Sequence, residues 1–206
     1  MPSSPIEPRR EDVAPPHLFR RLFHLASPVF LVYYWIPEDL GFGLTRLSLT
    51  LLFFGTAMGV EVVRVALRIP LFGLRGYETE RPSAYAWGSI GLLVALLLSV
   101  PPYVIFPQFL VIPAFCGMAW VDPLCSWSRR RGSYPAVPAL AYAAVFLAFL
   151  SAAHLPIAII AILTAVATPS ALLAEYPQIR AVDDDFLMTV VPLVTTTAAW
   201  LLLQNL

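Results

Sequence analysis

The chain alternates long apolar runs with short polar links along its 206 residues. Apolar segments run from Leu22 to Ile36, about Leu44 to Ile69, Ala84 to Val100, Val104 to Val121, Ala136 to Ala153, Ile157 to Leu173 and Phe186 to Leu203. At a helical rise of ~1.5 Å per residue, most of these are long enough to cross a bilayer. The first is short and contains Pro28, with Tyr33, Tyr34 and Trp35 at its far end, an aromatic belt of the kind found at membrane interfaces. The pattern predicts an all-α integral membrane protein of about seven transmembrane helices. Residues 1–17 are polar and proline-rich, which predicts a flexible tail and no cleavable signal. Residues 18–206 are expected to form a single membrane domain, because the links are short and no internal repeat is visible.

Composition supports that class. Hydrophobic residues make up 59% and charged residues 13%, about half the charged share of a soluble domain. A net charge of zero leaves no basic excess to track a phosphate backbone, so nucleic acid is not expected as a partner. All 13 basic residues are Arg, which reads either as a demand for the phosphate-matching guanidinium fork or as a bias of the genome. Cys116 and Cys125 have no metal-ligand spacing and read as small hydrophobes.

The charges fall on one side. The N-terminal tail and alternate links, with their flanking helix ends, hold twelve of the thirteen arginines, Arg46 being the exception. That asymmetry predicts a cytoplasmic N-terminus and an outside C-terminus. All the acids except Glu38 and Asp39 lie in the same regions, which the positive-inside rule does not require. A mixed-charge inner face beside charge-free outer links predicts a site at the cytoplasmic interface.

Asp122 and the run Asp183, Asp184, Asp185 are the metal candidates, because Mg²⁺ is commonly held through one or two carboxylates plus substrate phosphate. The run also reads as a solvated acidic helix start. Glu61 lies well inside an apolar segment, with Arg64 three residues on, and reads either as a reactive carboxylate or as a structural ion pair. Arg129 to Arg131 reads as a topology anchor or as a phosphate grip. Arg21 and His24, three apart, face one side of the first helix, where an anchor alone would not require a histidine. His154, alone between two apolar runs, reads as a loop residue.

Several stretches together resemble the polyprenol kinase family, which comprises CTP-dependent dolichol, phytol and diacylglycerol kinase-like membrane proteins. Phe19-Arg20-Arg21-Leu22-Phe23-His24-Leu25 is similar to the family's RKxxH signature. The likeness continues through Glu61 and Arg64, through Glu78-Thr79-Glu80-Arg81-Pro82-Ser83-Ala84-Tyr85, and through Glu175 to Asp183-Asp184-Asp185-Phe186-Leu187, which looks like the family's E...DDNFLIP ending. Two stretches depart from the pattern. Val121-Asp122 stands where the family has Gly-Asp, with Gly132 as the retained last glycine, and Asp185 stands in the family's Asn position.

The resemblance implies a kinase that moves the γ-phosphoryl group of CTP to the hydroxyl of a long isoprenoid alcohol at the cytoplasmic face of a prokaryotic cell membrane. Asp122, Asp183 and Asp184 would hold Mg²⁺, and Arg20, Arg21, His24, Arg64, Arg81, Arg129 and Gly132 would meet nucleotide and phosphate. Asp122 with Glu61, Glu80 and Glu175 are the expected catalytic carboxylates, and Asp185 is expected to lean on an arginine. The alternatives are a lipid-phosphate cytidylyltransferase and, in a different class, a small transporter or a non-catalytic lipid-binding protein.

Overall fold

A computed structural model describes residues 22–67, 84–101, 104–176 and 184–205. These form seven helices and one short hairpin. Helix α1 (Leu22–Trp35) leads through strands β1 (Asp39–Gly41) and β2 (Leu44–Thr45) to α2 (Arg46–Ala66). Then come α3 (Ala84–Leu97), α4 (Gln108–Arg131), α5 (Ala136–Ala152), α6 (Ile157–Glu175) and α7 (Asp184–Leu203). Four of the seven, α2, α4, α6 and α7, are long and apolar enough to cross a membrane; α1 and α5 are shorter apolar helices.

Prolines start the helices that follow tight links. Pro107, Pro135 and Pro156 each precede α4, α5 and α6, where a missing N–H costs nothing because the first helical donors have no partner within the helix. The apolar runs also carry Ser and Thr, and several of their hydroxyls fold back on the preceding turn. Thr168 Oγ1 donates to Thr164 O at 2.9 Å, Thr189 Oγ1 to Asp185 O at 2.8 Å, and Thr196 Oγ1 to Pro192 O at 2.6 Å. These polar side chains therefore enter an apolar interior with their donors satisfied.

Helix α4 is the centre. Two thirds (67%) of its apolar window is buried, against 17% for α2, so α4 is surrounded by protein while α2 presents most of its surface outward. Helices α4 to α7 pack on one another in sequence, α7 closes back on α4, and α3 lies along α7. The core is filled by Leu110, Phe115, Tyr142, Phe146, Leu163, Met188 and Leu193. Tyr142 stacks on Phe146, with ring centroids 5.2 Å apart, and lies flat against Gly117 of α4. At the hairpin end, Tyr34 Oη and Ser99 Oγ are 2.7 Å apart, and Arg46 sits over the Tyr33 ring at 5.0 Å, which fixes the far end of α1.

The helix ends differ from the hydropathy pattern at several places. The expected turn after Ile36 is a hairpin closed by Gly41 and Gly43, both with positive φ, and α2 begins at Arg46. The fourth apolar run was expected to close near Val121, yet α4 continues through Asp122 and Pro123 to Arg131. It continues because Cys125 and Ser128 still face the core, while Arg130 and Arg131 are exposed, so the segment is amphipathic and not a loop. It stops at Gly132, whose φ of 68° suits glycine and whose N–H caps the carbonyls of Arg129 and Ser128. Likewise Glu175 ends α6 and Asp184 begins α7; neither belongs to a polar link.

The Gly117 contact gives a stability test. A Cβ built there would come 2.6 Å from the Tyr142 ring, which is itself fully buried, whereas a Cβ at Gly59 of α2 meets nothing within 4 Å. Gly117→Ala is expected to lose roughly 1–3 kcal/mol through overpacking. Gly59→Ala is expected to be neutral or to gain up to ~1 kcal/mol from helix propensity. Unfolding of both variants in the same detergent checks the contrast.

Candidate metal centre

One proline sets where α1 meets α4. Pro28 has no N–H, so the carbonyl of His24, four residues back, loses the donor of a continuing α-helix. The carbonyl of Leu25, three back, loses the donor that the 3₁₀ winding from Ser27 to Trp35 would supply. Both carbonyls find other donors. Ser27 Oγ donates to His24 O at 2.8 Å, and Trp120 Nε1 donates to Leu25 O at 3.3 Å. Trp120 lies two residues before Asp122, so the start of α1 is held against that turn of α4.

Asp185 arrives from the first turn of α7, where the helix dipole favours an acid. Gly91 of α3 lets that turn come close, since a Cβ there would lie 3.0 Å from the Phe186 ring and 3.6 Å from its Cα. The result is a group from three helices. His24 and Asp122 are 7% and 8% exposed, and His24 Nε2 lies 3.3 Å from Asp185 Oδ2. One ligand atom from each of His24, Asp122 and Asp185 falls within 4.8 Å of the others. Neighbouring ligand atoms of a divalent ion bound at ~2.1 Å are about 3 Å apart, a spacing that His24 Nε2 and Asp185 Oδ2, at 3.3 Å, already approach.

A second charged group lies beside the first. Glu175, 2% exposed, accepts hydrogen bonds from Arg129 and, at 3.1 Å, from Tyr134 Oη, and the Arg129 guanidinium stacks over the Tyr134 ring at 4.8 Å. Burial and the Glu175 carboxylate push the Tyr134 phenol above its ordinary value, so it remains a donor at neutral pH. Glu175 lies within electrostatic range of Asp122 and Asp184, and these three acids and Arg129 all act on Cys125. Because α4 runs on past Pro123, Arg129 is carried by the same rigid helix as Asp122.

Of the residues expected from sequence, Arg20, Arg21, Glu80, Arg81 and Asp183 lie outside the described residues. Glu61 and Arg64 form a two-point pair on the last turns of α2, with Arg64 Nε to Glu61 Oε2 and Arg64 Nη2 to Glu61 Oε1 both at 2.7 Å. Gly132 ends α4, and Asp184 opens α7. His24, expected on phosphate, has its Nε2 3.3 Å from Asp185 Oδ2. Among the described residues of the run, Asp185, the one expected to lean on an arginine, gathers with Asp122. Helical spacing carries the signal for it. Met188, Thr189, Pro192, Leu193 and Thr196 are buried, and Asp185 stands three, four, seven, eight and eleven residues before them, in the middle of that stripe.

Among known protein families, curated proteins and solved structures, none matches this chain.

The unequal exposure of the Arg129–Glu175 pair, 30% against 2%, makes its two halves unequal to lose. Arg129→Ala strands a buried carboxylate and is expected to cost about 3–5 kcal/mol. Glu175→Gln leaves a guanidinium that can turn to water and is expected to cost roughly 1–2 kcal/mol. The double variant is expected to recover part of the Arg129→Ala loss, as read from thermal unfolding of the detergent-solubilised protein.

Proposed function

We propose that this chain is a multi-pass membrane kinase that transfers the γ-phosphoryl group of CTP to the hydroxyl of a long isoprenoid alcohol. The reading takes the seven helices as transmembrane, with the N-terminus and the charged end in the cytoplasm of a prokaryotic cell. The observation that carries it is the convergence of His24, Asp122 and Asp185 from three helices at the charged end of an otherwise apolar bundle. The resemblance of the stretches around His24, Glu61, Glu78 to Tyr85 and Asp183 to Leu187 supports it from the sequence side.

Connectivity supports a site at that end. The hairpin returns α2 towards the start of α1, and the tight α4–α5 and α5–α6 links with the packing of α7 on α6 make these four helices antiparallel neighbours. Among the described residues, His24, Glu61, Arg64, Asp122, Arg129, Arg130, Arg131, Glu175, Asp184 and Asp185 therefore belong to one end of the bundle. Glu38, Asp39 and Arg46 belong to the other. A lipid alcohol needs only its head group at such an interface, since its tail stays in hydrocarbon.

The donor set suits a divalent cation, because two carboxylates and an imidazole carry net negative charge even with the imidazole protonated. Asp122 and Asp185 with His24 would hold it, with Asp183 and Asp184 next to them in sequence. When bound, the ion neutralises phosphate charge in a loose transition state. The protein's own groups do the rest. Arg20, Arg21, Arg64 and Arg81 grip phosphate, and Arg129 adds its outward guanidinium face. Glu61 and Glu175 are each engaged by an arginine, which suits them to orient Arg64 and Arg129. In this reading the alcohol proton passes to Glu80. The alcohol oxygen forms a bond to the γ-phosphorus as the bond to the β-bridging oxygen breaks, giving CDP and the lipid phosphate.

Labelled nucleotide tests this. With purified protein and polyprenol in micelles, γ-labelled CTP is expected to pass label to the lipid, while α-labelled CTP passes none. Transfer of α-label instead would identify a cytidylyltransferase. Asp122→Asn is expected to lower transfer by at least ~100-fold while the protein elutes and melts as wild type. A folded Asp122→Asn with full activity would remove the site assignment.

A further inference from the structure

His24 is the component of the centre that a magnesium site does not call for. Mg²⁺ binds oxygen and gives up water reluctantly, so its sites are built from one or two carboxylates and substrate phosphate. An imidazole nitrogen is a better donor to first-row transition ions, while carboxylates accept both Mg²⁺ and Mn²⁺. A loosely hung histidine would be no ground for a choice of ion. This one is placed. Pro28 frees its carbonyl and that of Leu25, Ser27 and Trp120 take them up, and the bond from Trp120 ties the backbone beside His24 to the helix that carries Asp122. The imidazole is buried on the carboxylate side, with Nε2 at 3.3 Å from Asp185 Oδ2 and one ligand atom within 4.8 Å of those of Asp122 and Asp185.

We infer that His24 is a direct ligand of the bound cation, and that the centre takes a first-row transition ion in preference to Mg²⁺. The inference rests on the proposed divalent-cation site and deepens it. An ion held by one nitrogen and two carboxylate oxygens keeps open positions for phosphate oxygens, as a kinase requires, and gains affinity from a nitrogen that Mg²⁺ uses poorly. The chain carries His17, His24 and His154, so the nitrogen can be traced to one residue.

The experiment is pulsed electron paramagnetic resonance of the full chain in nanodiscs, loaded with Mn²⁺ alone. Nitrogen modulation from a coordinated imidazole is expected, and growth with ¹⁵N-histidine is expected to convert the ¹⁴N pattern to the ¹⁵N one without any substitution. His24→Gln is expected to abolish the modulation and to weaken Mn²⁺ binding about 10–100-fold, with Mg²⁺ binding changed less than about threefold. His17→Gln and His154→Gln are expected to keep it. Wild-type protein that binds Mn²⁺ with no nitrogen modulation would overturn the histidine assignment and leave the cation site standing. Failure of the wild type to bind either Mn²⁺ or Mg²⁺, with or without CTP, would overturn both. The labelling arm needs no variant to fold and decides by itself whether a histidine is a ligand, and the three Gln variants decide which one.

Discussion

Carrying a carboxylate into an apolar bundle is expensive unless a cation or a set of donors goes with it, and that constraint governs where this chain puts its charges. Glu175 is almost fully buried and is held by Arg129 and Tyr134. Glu61 is bound at two points by Arg64, itself 8% exposed. Asp185 meets His24, and Asp122 is drawn into the same group. Each acid arrives on a different helix, so satisfying them together requires the ends of α1, α4, α6 and α7 to lie at one level. Apolar packing decides that these helices associate; the charges decide their vertical register.

The backbone obeys the same rule on a smaller scale. A proline in a helix leaves carbonyls without donors, and in an apolar surrounding those carbonyls must be answered from elsewhere. Pro28 is answered by a hydroxyl of its own helix and by an indole from α4. The local defect therefore becomes a tertiary contact, and it lies one turn from the imidazole of His24. Glycines do the complementary work by removing bulk. Gly91 admits Phe186, and Gly117 admits the Tyr142 ring, so α3 and α5 close on their partners next to and below the charged group.

Much of the fold was legible because hydropathy reports helix existence directly: each apolar run contains a helix, and the polar links fall between them. The ends were less legible. An apolar window closes at the first charge, so it placed the end of α4 at Asp122, although Cys125 and Ser128 keep the helix facing the core for nine further residues, to Arg131. The site was legible in its residue types and not in its pairings. Asp122 and the aspartate run stood out as acids beside hydrocarbon, but adjacent positions on a helix point about 100° apart, and only the buried stripe from Met188 to Thr196 selects Asp185 over Asp184. The nearness of His24 to Arg20 and Arg21 is visible in the sequence, whereas its nearness to Asp185 of α7 is created by the fold.

The winding of α1 bears on the depth of the imidazole. Five α-helical residues and nine 3₁₀ residues advance about 25 Å, where an α-helix of the same fourteen residues would advance only about 21 Å. The overwound strut has one end held at Tyr34 by Ser99 and the other at Leu25 by Trp120. Its length thus acts as a spacer, and the roughly 4 Å gained by tightening is the difference between an imidazole level with Asp122 and one left most of a helical turn short of it.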